Sequence, residues 1–171
     1  MFKRGKKFTL IELIVVIAVL GILAAIVIPN ISNFQNKARD TQLTADTRNV
    51  QTALDMYRLD QPDGVSEPIL KDGDNEVILP VEVEGAEEYY RVLDLKELYP
   101  NYLRQIPKYA VTDPTAINDD DFALEDGGKV VFATLLDGVQ FDESDNPVAG
   151  EKSTAIVNAL SYVNGELTIV R

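Results

Sequence analysis

A chain of 171 residues has room for one domain of ordinary size with a real hydrophobic core. Its 16 Lys and Arg against 28 Asp and Glu give a formal net charge of −12, which argues against a nucleic-acid binder that relies on a broad basic surface. The sequence has no Cys, His or Trp, so thiol nucleophiles, disulfides, His general bases and nearly all zinc chemistry are excluded.

The charge is unevenly placed. Residues 1–7 carry Lys3, Arg4, Lys6 and Lys7 and no acid, whereas residues 8–171 hold 12 basic and 28 acidic side chains. Between this basic leader and the acidic body lies the apolar run Phe8–Ile28, in which Glu12 is the only charge. As a helix rising about 1.5 Å per residue it reaches across the hydrocarbon of a bilayer. The cations before it orient the N-terminus to the cytoplasm and the acidic bulk outward. A secretory signal peptide would end in a small-x-small cleavage site, and Ala24-Ala25-Ile26 matches that poorly. A plain membrane anchor fits, except that Glu12 is costly in lipid unless it is paired or near the interface. A third reading gives Glu12 a partner charge supplied by another chain.

The run Phe8-Thr9-Leu10-Ile11-Glu12-Leu13-Ile14-Val15-Val16-Ile17, behind a short basic leader and ahead of Gly21 and Pro29, resembles the N-terminal signature of type IV pilins and type II secretion pseudopilins. The resemblance covers roughly residues 1–60. It implies cleavage between Lys7 and Phe8 by a prepilin peptidase at the cytoplasmic face, N-methylation of Phe8, and assembly of many copies into a helical filament. Glu12 would then sit against the Phe8 amine of a neighbouring subunit. One position departs from the pattern: Lys7 stands where the family has Gly, and the nearest glycine is Gly5. Either the peptidase tolerates a long cation, or the chain stays uncut, or the sequence has been altered.

From Asn30 to Gln61 the pattern becomes amphipathic, with Leu43, Val50, Ala53, Leu54 and Tyr57 recurring near the 3.6-residue period. This helix should stop at Gln61-Pro62-Asp63-Gly64. Pro29 removes one backbone hydrogen bond and Gly21 lowers helix propensity, so a bend or melted stretch is expected between them. The chain order is thus a leader over 1–7, a transmembrane or filament-core helix over 8–29, an amphipathic helix over 30–61 and a globular β domain over 62–171.

In that domain, Val65–Asn75 reads as a polar connecting loop. Glu76–Leu79 and Val81–Val83 read as a strand interrupted by Pro80, hence an edge or a bulge. Leu93–Pro100 fits a short helix capped by Asp94, and Lys129–Leu135 a buried strand. Ser153–Val163, Asn164-Gly165 and Glu166–Val170 read as a hairpin feeding an antiparallel sheet. The expected fold is α+β, a long N-terminal helix packed on a C-terminal antiparallel sheet. Leu98–Lys108 followed by Asp113-Pro114 resembles a segment of major pseudopilins, in which the following loop can hold calcium. Here Asp119, Asp120, Asp121 and Asp126 supply the hard oxygen donors that calcium takes, without EF-hand spacing. No cofactor is otherwise implied.

No P-loop, dinucleotide turn or nucleophile motif is present, and the carboxylates lack the aromatic platform of a sugar site, so the chain does not read as an enzyme. The favoured reading is a structural subunit of a type IV pilus-like surface filament. It begins as a single-pass protein of the cytoplasmic membrane and partners further copies, the membrane, prepilin peptidase and the assembly machinery, without binding nucleic acid directly. A pseudopilin of a type II secretion system is the alternative, and a membrane-anchored binding domain the third.

Overall fold

A computed structural model describes residues 9–64, 66–117, 129–141, 147–163 and 166–170; within these, the side chains of 24–36, 148–152 and 162–163 are not described. The chain divides into two compact units, residues 1–42 and 43–171. One helix, α1 (Leu10–Asp60), runs from the first into the second. It stays helical through Gly21 and Pro29, so the expected melted stretch is absent. Pro29 forfeits its own N–H donor, and the neighbouring bonds carry the helix past it.

The second unit holds the last five turns of α1 and a sheet. β1 (Lys71–Asp72) and β2 (Asn75–Glu76) pair as a small hairpin inside the segment expected to be a polar loop. Within that segment Leu70 is buried and receives the Val77 N–H on its carbonyl, which gives the stretch an apolar anchor. The main sheet runs β3 (Ile78–Val83), β4 (Ala86–Val92), β5 (Val131–Phe141), β6 (Pro147–Val163) and β7 (Glu166–Val170), all antiparallel and in that spatial order. Pro80 lies in β3, which is an edge strand as its missing donor requires, while Glu76 belongs to β2 rather than to β3. Glu84 (φ 53°) and Gly85 (φ 83°) close β3 onto β4 through a two-residue turn with both central residues left-handed. Strand β4 was not anticipated, and β5 and β6 both run further than expected, to Phe141 and from Pro147. The hairpin β6–β7 is as read, with Val163 opposite Glu166.

Alternation along β5 assigns the two faces. Phe132 joins the cluster packed on α1 with Leu43, Val50, Ala53, Leu54 and Tyr57, the five positions that the sequence period marked as its apolar stripe. Val131 and Ala133 point to the opposite face, where they meet Leu70, Val81, Tyr90, Val111 and Leu167. There β3 and β7 approach one another, so the two sheet edges curl over the second core. Fully buried Leu54 and Phe132 each contribute about 1.5–3 kcal/mol by removal from water.

Between β4 and β5 the chain crosses back over α1. The short helix α2 (Leu95–Leu98) is capped by Asp94, whose carboxylate accepts the Lys96 N–H at 2.8 Å, and it buries Leu95 and Leu98. A 3₁₀ turn over Pro114–Ala116 follows, capped by Asp113. Three phenols tie this crossing to α1: Tyr57 donates to Glu97 at 2.6 Å, Tyr102 donates to Asp60 at 2.9 Å, and Tyr109 donates to Asp46. Tyr57 and Tyr102 also meet edge to face at 5.4 Å.

The Tyr57 bond carries a pH signature. Donation to the Glu97 carboxylate, reinforced by burial, pushes the Tyr57 phenol up to about 12. A folded value above the unfolded one, which lies near 10, means stability that is whole below about pH 10 and is lost as pH rises towards 12. Tyr57→Phe should therefore flatten stability between about pH 10 and 12, checked by denaturant unfolding of both proteins at pH 9 and 11.5; parallel pH profiles would refute the linkage.

Candidate functional site

The candidate assembly surface is the N-terminal part of α1. Leu10, Ile11, Leu13, Ile14, Val15, Val16, Ile17, Val19, Leu20, Ile22 and Leu23 are all between 48% and 76% exposed. At about 100° per residue, the five consecutive positions 13–17 already take in the whole circumference. Such a helix presents no solvent-adapted face. A docking groove would cover one stripe of it, whereas lipid or several neighbouring helices would cover all of it. Among the described residues no helix is long and apolar enough to cross a membrane. The run Phe8–Ile28 begins and ends beyond the described side chains.

At the head of this helix the backbone N–H and the hydroxyl of Thr9 donate to Glu12 Oε2 at 2.8 and 2.7 Å, while the Glu12 N–H reaches Thr9 Oγ1 at 3.4 Å. This is a reciprocal capping box: Thr9 is the N-cap, and Glu12, three residues on, returns to it. The carboxylate also lies at the positive end of the helix dipole. The sequence reading took Glu12 as a charge awaiting a partner and missed this role, although Thr-x-x-Glu ahead of an apolar run is the local signal for it. Gly21 is exposed, and a Cβ there would meet nothing within 4 Å, so within one chain nothing demands a glycine. Pro29 lies in α1, its side chain not described. Lys7, Phe8, Asp119, Asp120, Asp121 and Asp126 lie outside the described residues.

A second polar constellation, in the globular unit, also escaped the sequence. The Glu67 side chain is 2% exposed and pairs with Arg58 of α1 and, at 3.7 Å, with Arg91 of β4. It also accepts the Thr134 hydroxyl at 3.2 Å, and Arg91 reaches Glu76 at 2.9 Å. The arrangement joins α1, the chain after it, β4 and β5 through one buried carboxylate, which is a structural role.

No protein-family model matches the chain, and no solved structure matches it. Among curated proteins it is 31% identical over 147 residues to the type II secretion system core protein G of Klebsiella michiganensis, a match covering 84% of this chain and 90% of that protein. It is 45% identical over 58 residues to the protein of the same name from Aeromonas hydrophila, spanning 34% of this chain and 41% of the relative. It is 43% identical over 58 residues to the type IV wide pilus major component PilA4 of Thermus thermophilus, with 34% and 44% covered. The last two matches thus span less than half of those relatives, while the first runs nearly end to end. With an apolar helix continuing into an amphipathic one packed on an antiparallel sheet, the chain belongs to the family of type IV pilins and type II secretion pseudopilins.

Proposed function

We propose that the chain is a structural subunit of a pilus-like surface filament, assembled through its hydrophobic N-terminal helix. The observation that carries this reading is the exposure of apolar side chains around the full circumference of α1 from Leu10 to Leu23. Before assembly this surface lies in the cytoplasmic membrane, with the basic leader inside. In the filament it exchanges lipid for neighbouring helices while the acidic domains form the outer shell. Glu12, Gly21 and Pro29 act in that packing. Prepilin peptidase cuts between Lys7 and Phe8 and methylates Phe8. The pseudopilin role is the alternative, and relatives named for a secretion core protein and for a pilus component fit the two readings alike. Imaging of purified material tests the reading: long filaments made mainly of this chain support a pilin, and short assemblies co-purifying with secretion components support a pseudopilin. Material that never polymerises would contradict both.

The same proposal places calcium on Asp119, Asp120, Asp121 and Asp126. A ligand held only by the folded state raises stability by mass action, so millimolar calcium should raise the melting temperature and chelator should reverse it. An unchanged melting temperature would return these acids to solvent.

A further inference from the structure

Strand β6 carries two residues more than its partner needs. Val131 through Thr134 pair with Leu160 through Val157, but Leu136 pairs with Ser153, so three residues of β6 stand opposite the single Leu135. Ala155 takes up the surplus at φ 64°, a conformation costly for a residue with a Cβ, and Ile156 is left 63% exposed. Such a two-residue bulge has a particular property. Because side chains alternate with a period of two, removing it by sliding the distal half of β6 two places along β5 would return every side chain to the same face. The hydrophobic pattern therefore does not choose between the bulged register and the regular one.

The bulge is instead held from outside the sheet. Gln51 of α1 accepts the Val157 N–H on Oε1 at 2.7 Å and donates from Nε2 to the Ala155 carbonyl at 2.8 Å. A second Nε2 hydrogen bond goes to Asp55 Oδ1 at 3.0 Å, one helical turn on. That bond reinforces the orientation that the Val157 N–H and the Ala155 carbonyl already dictate, since the reversed amide would set oxygen against both the Ala155 carbonyl and the Asp55 carboxylate. The amide thus pairs two backbone groups of β6, one on each side of Ile156, at the bulge itself. We propose that Gln51, supported by Asp55, is a register latch: it selects the bulged pairing of β5 with β6 and so couples the distal half of that hairpin to the helix. When the latch is released, the strands settle into the regular register, Ala155 leaves the left-handed region, and Asp137 faces Thr154 instead of Lys152.

The absence of native cysteine makes this directly testable in the full chain in detergent micelles. Asp137 pairs with Lys152 in the bulged register, and a two-residue slide brings the same face of Asp137 to Thr154. Paired substitutions Asp137→Cys with Lys152→Cys, and Asp137→Cys with Thr154→Cys, are oxidised and the bridged peptides quantified by mass spectrometry. With Gln51 present, the 137–152 pair should bridge in clear preference. Adding Gln51→Leu should raise bridging of the 137–154 pair about tenfold or more, the response of a register whose deciding contact has been removed. Asp55→Ala, which leaves the two backbone bonds but removes the third bond that supports them, should move the ratio in the same direction by less. It also provides the reading if Gln51→Leu does not fold. A bridging ratio unchanged in a folded Gln51→Leu protein, or in Asp55→Ala where the leucine variant fails to fold, would overturn the proposal.

Discussion

Glu12→Ala should abolish or severely reduce filament assembly while the chain still inserts in the membrane. In the single chain this carboxylate caps its own helix through Thr9, with both bonds landing on Oε2. In the proposed filament it also meets the amine that cleavage creates at Phe8, in a core where a charge without a partner is strongly unfavourable. The two roles separate by substitution. Glu12→Gln keeps an acceptor for the cap, since glutamine also serves in capping boxes, but it carries no charge to form an ion pair with the amine. If charge pairing drives assembly, alanine and glutamine should both reduce the filament yield by at least about tenfold relative to the parent. A glutamine variant that assembles normally would leave the cap as the only role of Glu12. Mass spectrometry of the native N-terminus completes the test. Methylated Phe8 means a peptidase that accepts Lys7, whereas Met1 retained in a filament would remove the amine from the mechanism.

Glu67→Ala should be among the most destabilising single changes in the globular unit, costing about 3–5 kcal/mol, because it takes the carboxylate from the Arg58 guanidinium in a poorly hydrated site and leaves Arg91 to Glu76. The side chains of Arg58 and Arg91 are only 13% and 11% exposed. Set against a typical total stability of about 5–15 kcal/mol, that loss brings the unit close to unfolding. Urea denaturation in micelles measures it. Glu67→Gln, which retains acceptors for Thr134 and one arginine, should cost clearly less. Glu82→Ala is the contrast: Glu82 is exposed and stands directly opposite Glu87 across the β3–β4 hairpin, so its removal relieves a like-charge pair and should change stability by no more than about 0.5 kcal/mol. Equal effects at positions 67 and 82 would mean that the buried carboxylate has no special structural role.

These two acids also mark where the sequence was readable. Features set by local chemistry came through: the stripe from Leu43 to Tyr57, the Asp94 cap, Pro80 on an edge strand and the pairing around Asn164-Gly165. Each rests on residues within a few positions of one another. Strand β4 was hidden because the doublets Glu87-Glu88 and Tyr89-Tyr90 blur the period-two alternation, and only pairing with β3 and β5 reveals it. The outer halves of β5 and β6 contain Gly138 and Gly150, which weaken a strand pattern, and only pairing such as Val139 with Gly150 reveals them. Glu67 could not be found at all, since its partners lie 9, 24 and 67 positions away and nothing near it signals burial. Gln51 looked like one more polar residue on a helix, and only the β6 bulge against it gives it a task. The capping box, by contrast, was legible, and was obscured because Glu12 invited an explanation as a charge in lipid.

In the proposed filament, an apolar helix exposed on all sides becomes the core of the polymer. Cryo-electron microscopy of filaments purified from the native membrane measures this most directly. Helical density at the axis that fits Leu10–Leu23, with the sheet domains outside, is the expected result. A filament whose axis is built from the sheet domains, with these helices on its surface or in retained lipid, would contradict it.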